Sequence, residues 1–155
     1  MKKPLLTLVA IIIVPLGAEG IGTTTYWSNS ELKTYSQQLG PKVNTDHVAV
    51  ERLGDFGSHY ALVVHRKGNG PAESHGAETD FYVVQDGEGA LLLGGEISDA
   101  KTVEPGEIRG SSIKGGKTIQ LAPGDTVNIP PKTPHQVVLA PGQSITYLIV
   151  KIGKK

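Results

Sequence analysis

Turn chemistry interrupts this chain at short, regular intervals, and that spacing constrains the fold more than any other feature. Lys67-Gly68-Asn69-Gly70-Pro71, Asp86-Gly87-Glu88-Gly89, Pro123-Gly124-Asp125 and Pro141-Gly142 all place Gly where a positive φ is expected. Between these breaks lie short runs rich in Val, Ile and Leu, at 48–53, 60–65, 80–85, 90–93, 118–121, 126–129, 135–139 and 145–152. Short strands with no helices alternating between them pack as a sandwich or a barrel. The expected fold class is all-β, a small jelly-roll barrel. The segment 98–116 is polar and Gly-containing and reads as a long inter-strand loop.

One helix is expected before the barrel. Ser28-Asn29-Ser30-Glu31 forms a capping box, Leu32, Tyr35 and Leu39 recur on one helical face, and Gly40-Pro41 ends the run. Such a helix is a lid or a flank rather than a core element. The first residues read as an address label. Met1-Lys2-Lys3 is a positive start, 4–16 is apolar, and Ala18-Glu19-Gly20 has the small-x-small pattern that precedes a cleavage point. The run is short for a membrane span, so a secretory signal peptide is favoured over a retained anchor. The expected organisation is a signal peptide at 1–20, the helix and a linker at 21–45, and the barrel at 46–155. The cleaved protein then works in the periplasm or outside the cell and has no membrane partner.

Composition excludes several functions. Fifteen Lys+Arg balance fifteen Asp+Glu, so there is no basic stripe for nucleic acid. The absence of Cys rules out a disulfide scaffold, a thiolate metal site and a thiol nucleophile. There is no Ser-centred nucleophile elbow, phosphate-binding Gly-rich loop or dinucleotide fingerprint.

The residues left to carry chemistry sit in two segments. Glu73 and His75 are two apart and share a face if that stretch is extended. Asp80 opens the next apolar run, and His135 opens another much later in the chain. Two imidazoles with one or two carboxylates suit a divalent first-row transition metal: Mn, Fe, Ni, Zn or Cu. Tyr82 is two residues from Asp80 and should share its face, where it lines the pocket with its phenol or packs in the core. Glu78 is a fallback acid if the register slips. His59 and His65 lie six apart and read as ordinary strand residues, and His47 carries no signal.

These two segments resemble the paired motifs of the cupin superfamily. The first runs as Glu73-x-His75, four residues, Asp80, six residues, Gly87; the second as Gly124, five residues, Pro130-x-Lys132, two residues, His135. The chain departs from the pattern at Glu73 (usually His), Asp80 (usually Glu), Lys132 (usually Gly) and Leu139 (usually Asn). The resemblance implies a cupin-type jelly-roll barrel with the motifs at one mouth and a single metal on Glu73, His75, Asp80 and His135. It also implies a homodimer through strand edges. Lys132 at a Gly position reads as a solvated lysine, with a place at the barrel mouth attracting anionic groups as the alternative. Two functions follow as expectations. The first is a metal-dependent enzyme on a small organic molecule, of oxygenase, isomerase or lyase type. There Glu73 or Asp80 is a proton acceptor with a pKa raised by an apolar barrel, and Tyr82 a hydrogen-bond donor. The second is a non-catalytic module that binds a sugar, another small molecule or a metal.

Overall fold

The computed structural model of the chain describes residues 24–153; the expected signal peptide at 1–20 lies outside them. Helix α1 spans Asn29–Leu39, and a 3-10 turn, Gly40–Lys42, closes it. Its start has the reciprocal bonds of a capping box: the Glu31 amide donates to Ser28 Oγ at 3.1 Å, and the Ser28 amide donates to Glu31 Oε2 at 2.7 Å. The strands follow as β1 (Val48–Asp55), β2 (His59–Arg66), β3 (Ala72–His75), β4 (Thr79–Gly87), β5 (Gly89–Leu93), β6 (Glu96–Ser98), β7 (Lys101–Glu104), β8 (Glu107–Gly110), β9 (Ser112–Lys114), β10 (Lys117–Leu121), β11 (Thr126–Ile129), β12 (His135–Val138) and β13 (Ile145–Ile152).

Two antiparallel sheets face each other. One has the order β1-β2-β13-β4-β11 and the other β10-β5-β12-β3-β8-β7, with β6 and β9 as a separate ribbon. Consecutive strands often lie in different sheets, as a jelly roll requires. The inner faces carry the core: Val64, Tyr82, Val84, Leu91, Ile129, Val137, Ile145, Tyr147 and Ile149 form one buried cluster. Along β4 and β13 these residues alternate with others that face outward, the period of two that the sequence shows.

Helix α1 is a flank, as expected. Leu32 and Leu39 pack on Ala49 and Val63 of the outer sheet face, with Tyr35 and Leu148 beside them. The strands β1, β2 and β13 are therefore buried on both faces near the helix, which explains the continuous apolar run Ala61-Leu62-Val63-Val64.

The expected loop at 98–116 is corrected by the structure: it contains β7, β8 and β9. All four residues of β7 are exposed. An exposed edge ribbon buries few side chains, so it lacks the apolar run by which the other strands were recognised. The correction matters because β8 pairs with β3 in the register Glu73↔Arg109 and His75↔Glu107. It extends the sheet directly beside the first motif.

Two turns use the backbone geometry expected of them. Gly87 has φ 75°, and a Cβ there would collide with the carbonyl of Ser144. Lys132, where the resembling motif has Gly, also keeps a left-handed backbone, φ 64°. Its amide donates to the His75 carbonyl at 2.7 Å, so this strained residue ties one motif to the other.

Candidate metal centre inside the barrel

The register builds the site. Residue His135 of β12 lies opposite Glu73 of β3, and β3 continues to His75 on the same inner face. Asp80 enters from β4 in the opposite sheet. The centroids of the His75 and His135 rings are 5.1 Å apart. Both rings are almost fully buried, at 5% and 1% exposure. Oxygen Oδ2 of Asp80 lies 3.3 Å from His75 Nε2 and 3.6 Å from His135 Nε2, and Glu73 Oε1 lies 3.7 Å from His135 Nε2. Four residues separated by up to 62 positions in sequence thus meet at one point between the sheets.

The rings are oriented as metal-ligating imidazoles are. His135 Nδ1 is 2.9 Å from the Thr133 carbonyl and must donate to it, which leaves Nε2 with a lone pair. That Nε2 is buried and has no hydrogen-bond partner among the described residues. His75 Nδ1 lies 2.8 Å from both oxygens of Glu107 and donates to that carboxylate, so its Nε2 also turns inward. Glu73, His75 and His135 each offer one donor atom within 4.8 Å of the others. The chain therefore has a His/Glu cluster whose donor types and orphaned ring nitrogen fit a divalent metal ion.

A lysine shares the centre. Lys151 of β13 is buried; its Nζ is 2.8 Å from Asp80 Oδ1 and 2.7 Å from His75 Nε2, and Glu78 Oε2 is 3.9 Å away. Glu78 is itself buried and accepts from the Tyr60 hydroxyl at 3.4 Å. With Glu107 it encloses His75 in a second acidic grouping. Burial and the neighbouring carboxylates of Glu78 and Asp80 push the Tyr60 phenol up to about 12.

Charge sets the protonation of the cluster. Burial pushes the Asp80 carboxyl up, but the imidazoles of His135 and His75 and the ammonium of Lys151 outweigh it and hold the group well below the usual carboxylate range. This reverses the expectation that an apolar barrel would raise Asp80: the carboxylate is buried among donors, not among hydrocarbon. Burial pushes the His75 imidazole down, as does Lys151, yet Asp80 and Glu73 draw it up overall. The ring sits in a net negative field, which is a field that attracts a cation.

Tyr82 takes a different place. It is 2% exposed, stacks on Tyr147 with centroids 4.9 Å apart, and meets His135 edge-on at 6.5 Å. It supports the His135 ring from the core, and the cavity over the cluster is lined instead by Tyr60, Glu78, Glu107, Arg109 and Lys151. That cavity holds about 370 Å³. Lys132 is exposed. Sequence reasoning missed Lys151 and Glu107. The first had a signal, a lone charge at an inward position of an apolar strand; the second was hidden in the ribbon read as a loop.

No family model and no curated protein matches the chain. Solved structures do. The chain is similar to the DMSP lyase DddQ from Ruegeria pomeroyi DSS-3, with 24% identity over 70% of this chain and 48% of that one, TM-score 0.50. It is similar to a cupin 2 conserved barrel domain protein from Rhodopseudomonas palustris, at 20% identity over 70% of this chain and 62% of that one, TM-score 0.51. It is also similar to KdgF from Halomonas sp., at 14% identity over 70% and 81%, TM-score 0.51. The chain spans about half the length of the first of these and under two thirds of the second. At these identities the likeness is one of fold, and the fold is the cupin barrel.

Proposed function

We propose that this cupin-fold chain is a metal-dependent enzyme acting on a small organic molecule, with Glu73, His75 and His135 as ligands and Asp80 as the fourth donor. The observation that carries the proposal is the orphaned, buried Nε2 of His135, facing the carboxylates of Asp80 and Glu73 while its other nitrogen is committed to Thr133. An imidazole nitrogen buried without a partner costs stability unless a donor or a cation satisfies it. A divalent ion there supplies a Lewis acid that polarises a carbonyl or hydroxyl oxygen.

The chain's own residues divide the remaining work. Thr133 and Glu107 fix the tautomers of the two imidazoles and so aim their lone pairs. Asp80, held ionised, is a permanent anion and a poor proton acceptor. Glu73 is 18% exposed and reaches the cavity, so it is the better-placed group to take a proton from a bound molecule. Lys151 balances Asp80 and Glu78, which keeps the buried acids from repelling one another. Tyr60 and Leu62 line the cavity over the cluster. If residues 1–20 are removed as a secretion signal, this activity belongs to the periplasm or the medium.

The non-catalytic module is the second reading, and the lysine favours it: Lys151 supplies a tethered positive charge where a metal would otherwise be required. Turnover separates the two. Metal-loaded protein is incubated with small keto acids, catechols and hydroxy acids, and products and oxygen uptake are followed before and after chelation. The enzyme reading expects product formation that stops on chelation and returns with metal. Ligand binding that survives chelation without any product contradicts it.

A further inference from the structure

A second cavity, about 710 Å³, opens between the sheets at the edge formed by β1 and β8. It shares Glu73 and Arg109 with the cavity over the metal cluster, so the two spaces meet at one pair of side chains. At its inner wall stands Arg66, the last residue of β2, on the barrel-facing side of that strand. Nitrogen Nε of Arg66 donates to the Tyr147 hydroxyl at 2.9 Å. Tyr147 is 1% exposed and stacked on Tyr82, so the guanidinium is anchored through a rigid aromatic pair that also supports His135. Its plane lies over Gly70, where a Cβ would approach Cζ to 3.0 Å, so the missing side chain leaves room for it.

Among the described residues no carboxylate lies within 4.0 Å of the Arg66 guanidinium, and its two Nη groups have no side-chain partner. Where the two cavities meet, Glu73 faces Arg109 at 3.8 Å and His135 at 3.7 Å, and Asp46 also lines the second cavity. A half-buried, pre-oriented guanidinium with free Nη groups is a fork for a planar oxyanion. Gln136, buried on the opposite sheet, also lines this cavity, but its amide is committed: Nε2 donates to the Gly70 and Ser111 carbonyls and Oε1 accepts from the Ile113 amide.

We infer that Arg66 is an anchoring residue for the carboxylate of a small organic acid, which lies in this second cavity with its other end directed past Glu73 toward the metal cluster. The inference deepens the function proposed above, because it names the substrate class of that site, but it stands on residues that no metal touches. Its test is run on chelated protein for that reason. Malonate and inorganic phosphate are titrated calorimetrically at low ionic strength into the wild-type chain, Arg66→Gln and Arg66→Lys, and the side-chain Nε resonance of Arg66 is followed by NMR in the wild type. Malonate is expected to bind, to shift that resonance, and to bind at least tenfold more weakly to both variants, since Lys keeps the charge but lacks the fork. The NMR arm needs no variant and so holds if Arg66→Gln fails to fold. Malonate that leaves the Arg66 resonance unmoved, or binds Arg66→Lys as tightly as the wild type, overturns the inference. Phosphate bound in preference to malonate overturns the carboxylate and assigns the fork to a phosphate ester. Failure of the metal proposal shows separately, as absence of metal from protein whose malonate binding is intact.

Discussion

His65 and His75 are both buried histidines, 3% and 5% exposed, on opposite sides of the same sheet sandwich, and they could hardly differ more in surroundings. His65 points outward from β2, beside Val63 and the end of α1. Its Nδ1 pairs with the Thr146 hydroxyl at 2.8 Å, and its Nε2 has no partner among the described residues. Burial and Lys67 push its pKa down. His75 points inward, where burial and Lys151 push its pKa down but Asp80 and Glu73 draw it up overall. Both regions leave a ring nitrogen unpaired, at His65 and at His135. Only the inner one has carboxylates converging on it. An orphaned nitrogen is therefore not in itself a site; the convergence of anions around it is what gives it a chemistry.

The largest effect expected from this contrast is on metal content. His135→Ala should lose the bound ion and His65→Ala should keep it, read by elemental analysis of chelator-free preparations with circular dichroism as the check on folding. Metal lost equally from both variants would erase the distinction between the two faces. Next comes the outer cluster on its own. Leu39 is 1% exposed beneath the helix, and Leu39→Ala should cost about 2–5 kcal/mol in urea unfolding. It should leave the metal stoichiometry at the inner face unchanged.

A smaller change sharpens the inner face. Lys151 shares Asp80 and His75 with any ion that binds there, so Lys151→Met should tighten metal binding about tenfold in a chelator competition, some 1.4 kcal/mol. Weaker binding in the variant would mean that the ammonium assists the ion instead of competing with it.

The smallest effect is on pH dependence in the metal-free protein. His65 titrates lower when folded, so the unfolded chain takes up its proton first as pH falls below the ordinary histidine value of about 6.5, and stability is lost in that window. His75 titrates higher when folded, so its contribution is present below about 6.5 and is lost as pH rises. Asp80, held low, is silent until pH falls below about 3.9. The two histidines oppose each other near neutrality. Melting temperatures between pH 7.5 and 5.5 should therefore rise on acidification in His65→Gln relative to wild type, and fall in His75→Gln. The same slope in all three proteins would contradict the assignment of opposite environments.

Much of this molecule was legible in the chain itself. The barrel followed from turn spacing and alternation, and the helix from Ser28, Glu31 and the Leu32–Leu39 stripe. The shared face of Glu73 and His75 followed from the period of two, and the meeting of that strand with His135 from the resemblance of the two motifs to those of cupins. What was not legible depended on tertiary context. The ribbon at 98–116 is held by backbone bonds to β3 and β6 and, Ile113 apart, leaves its apolar residues Val103 and Ile108 exposed, so no apolar run announced it. Glu107, the partner of His75, went unseen with it. Asp80 was expected in an apolar barrel interior, yet its surroundings are set by His75, His135 and Lys151 from three other strands. His75 was set apart from His65 by its motif, and the structure adds the physical difference: His75 faces the barrel interior and His65 the outer side of its sheet.

Elemental analysis of the wild-type chain and of His135→Ala, purified in parallel without chelator, addresses the central assignment most directly. The account predicts about one first-row metal ion per wild-type chain and none in the variant, with both proteins folded. A wild-type chain that takes up no metal, even after dialysis against Mn, Fe, Ni, Zn and Cu salts, would contradict it and leave the cluster as a salt-bridged core with Lys151 at its centre.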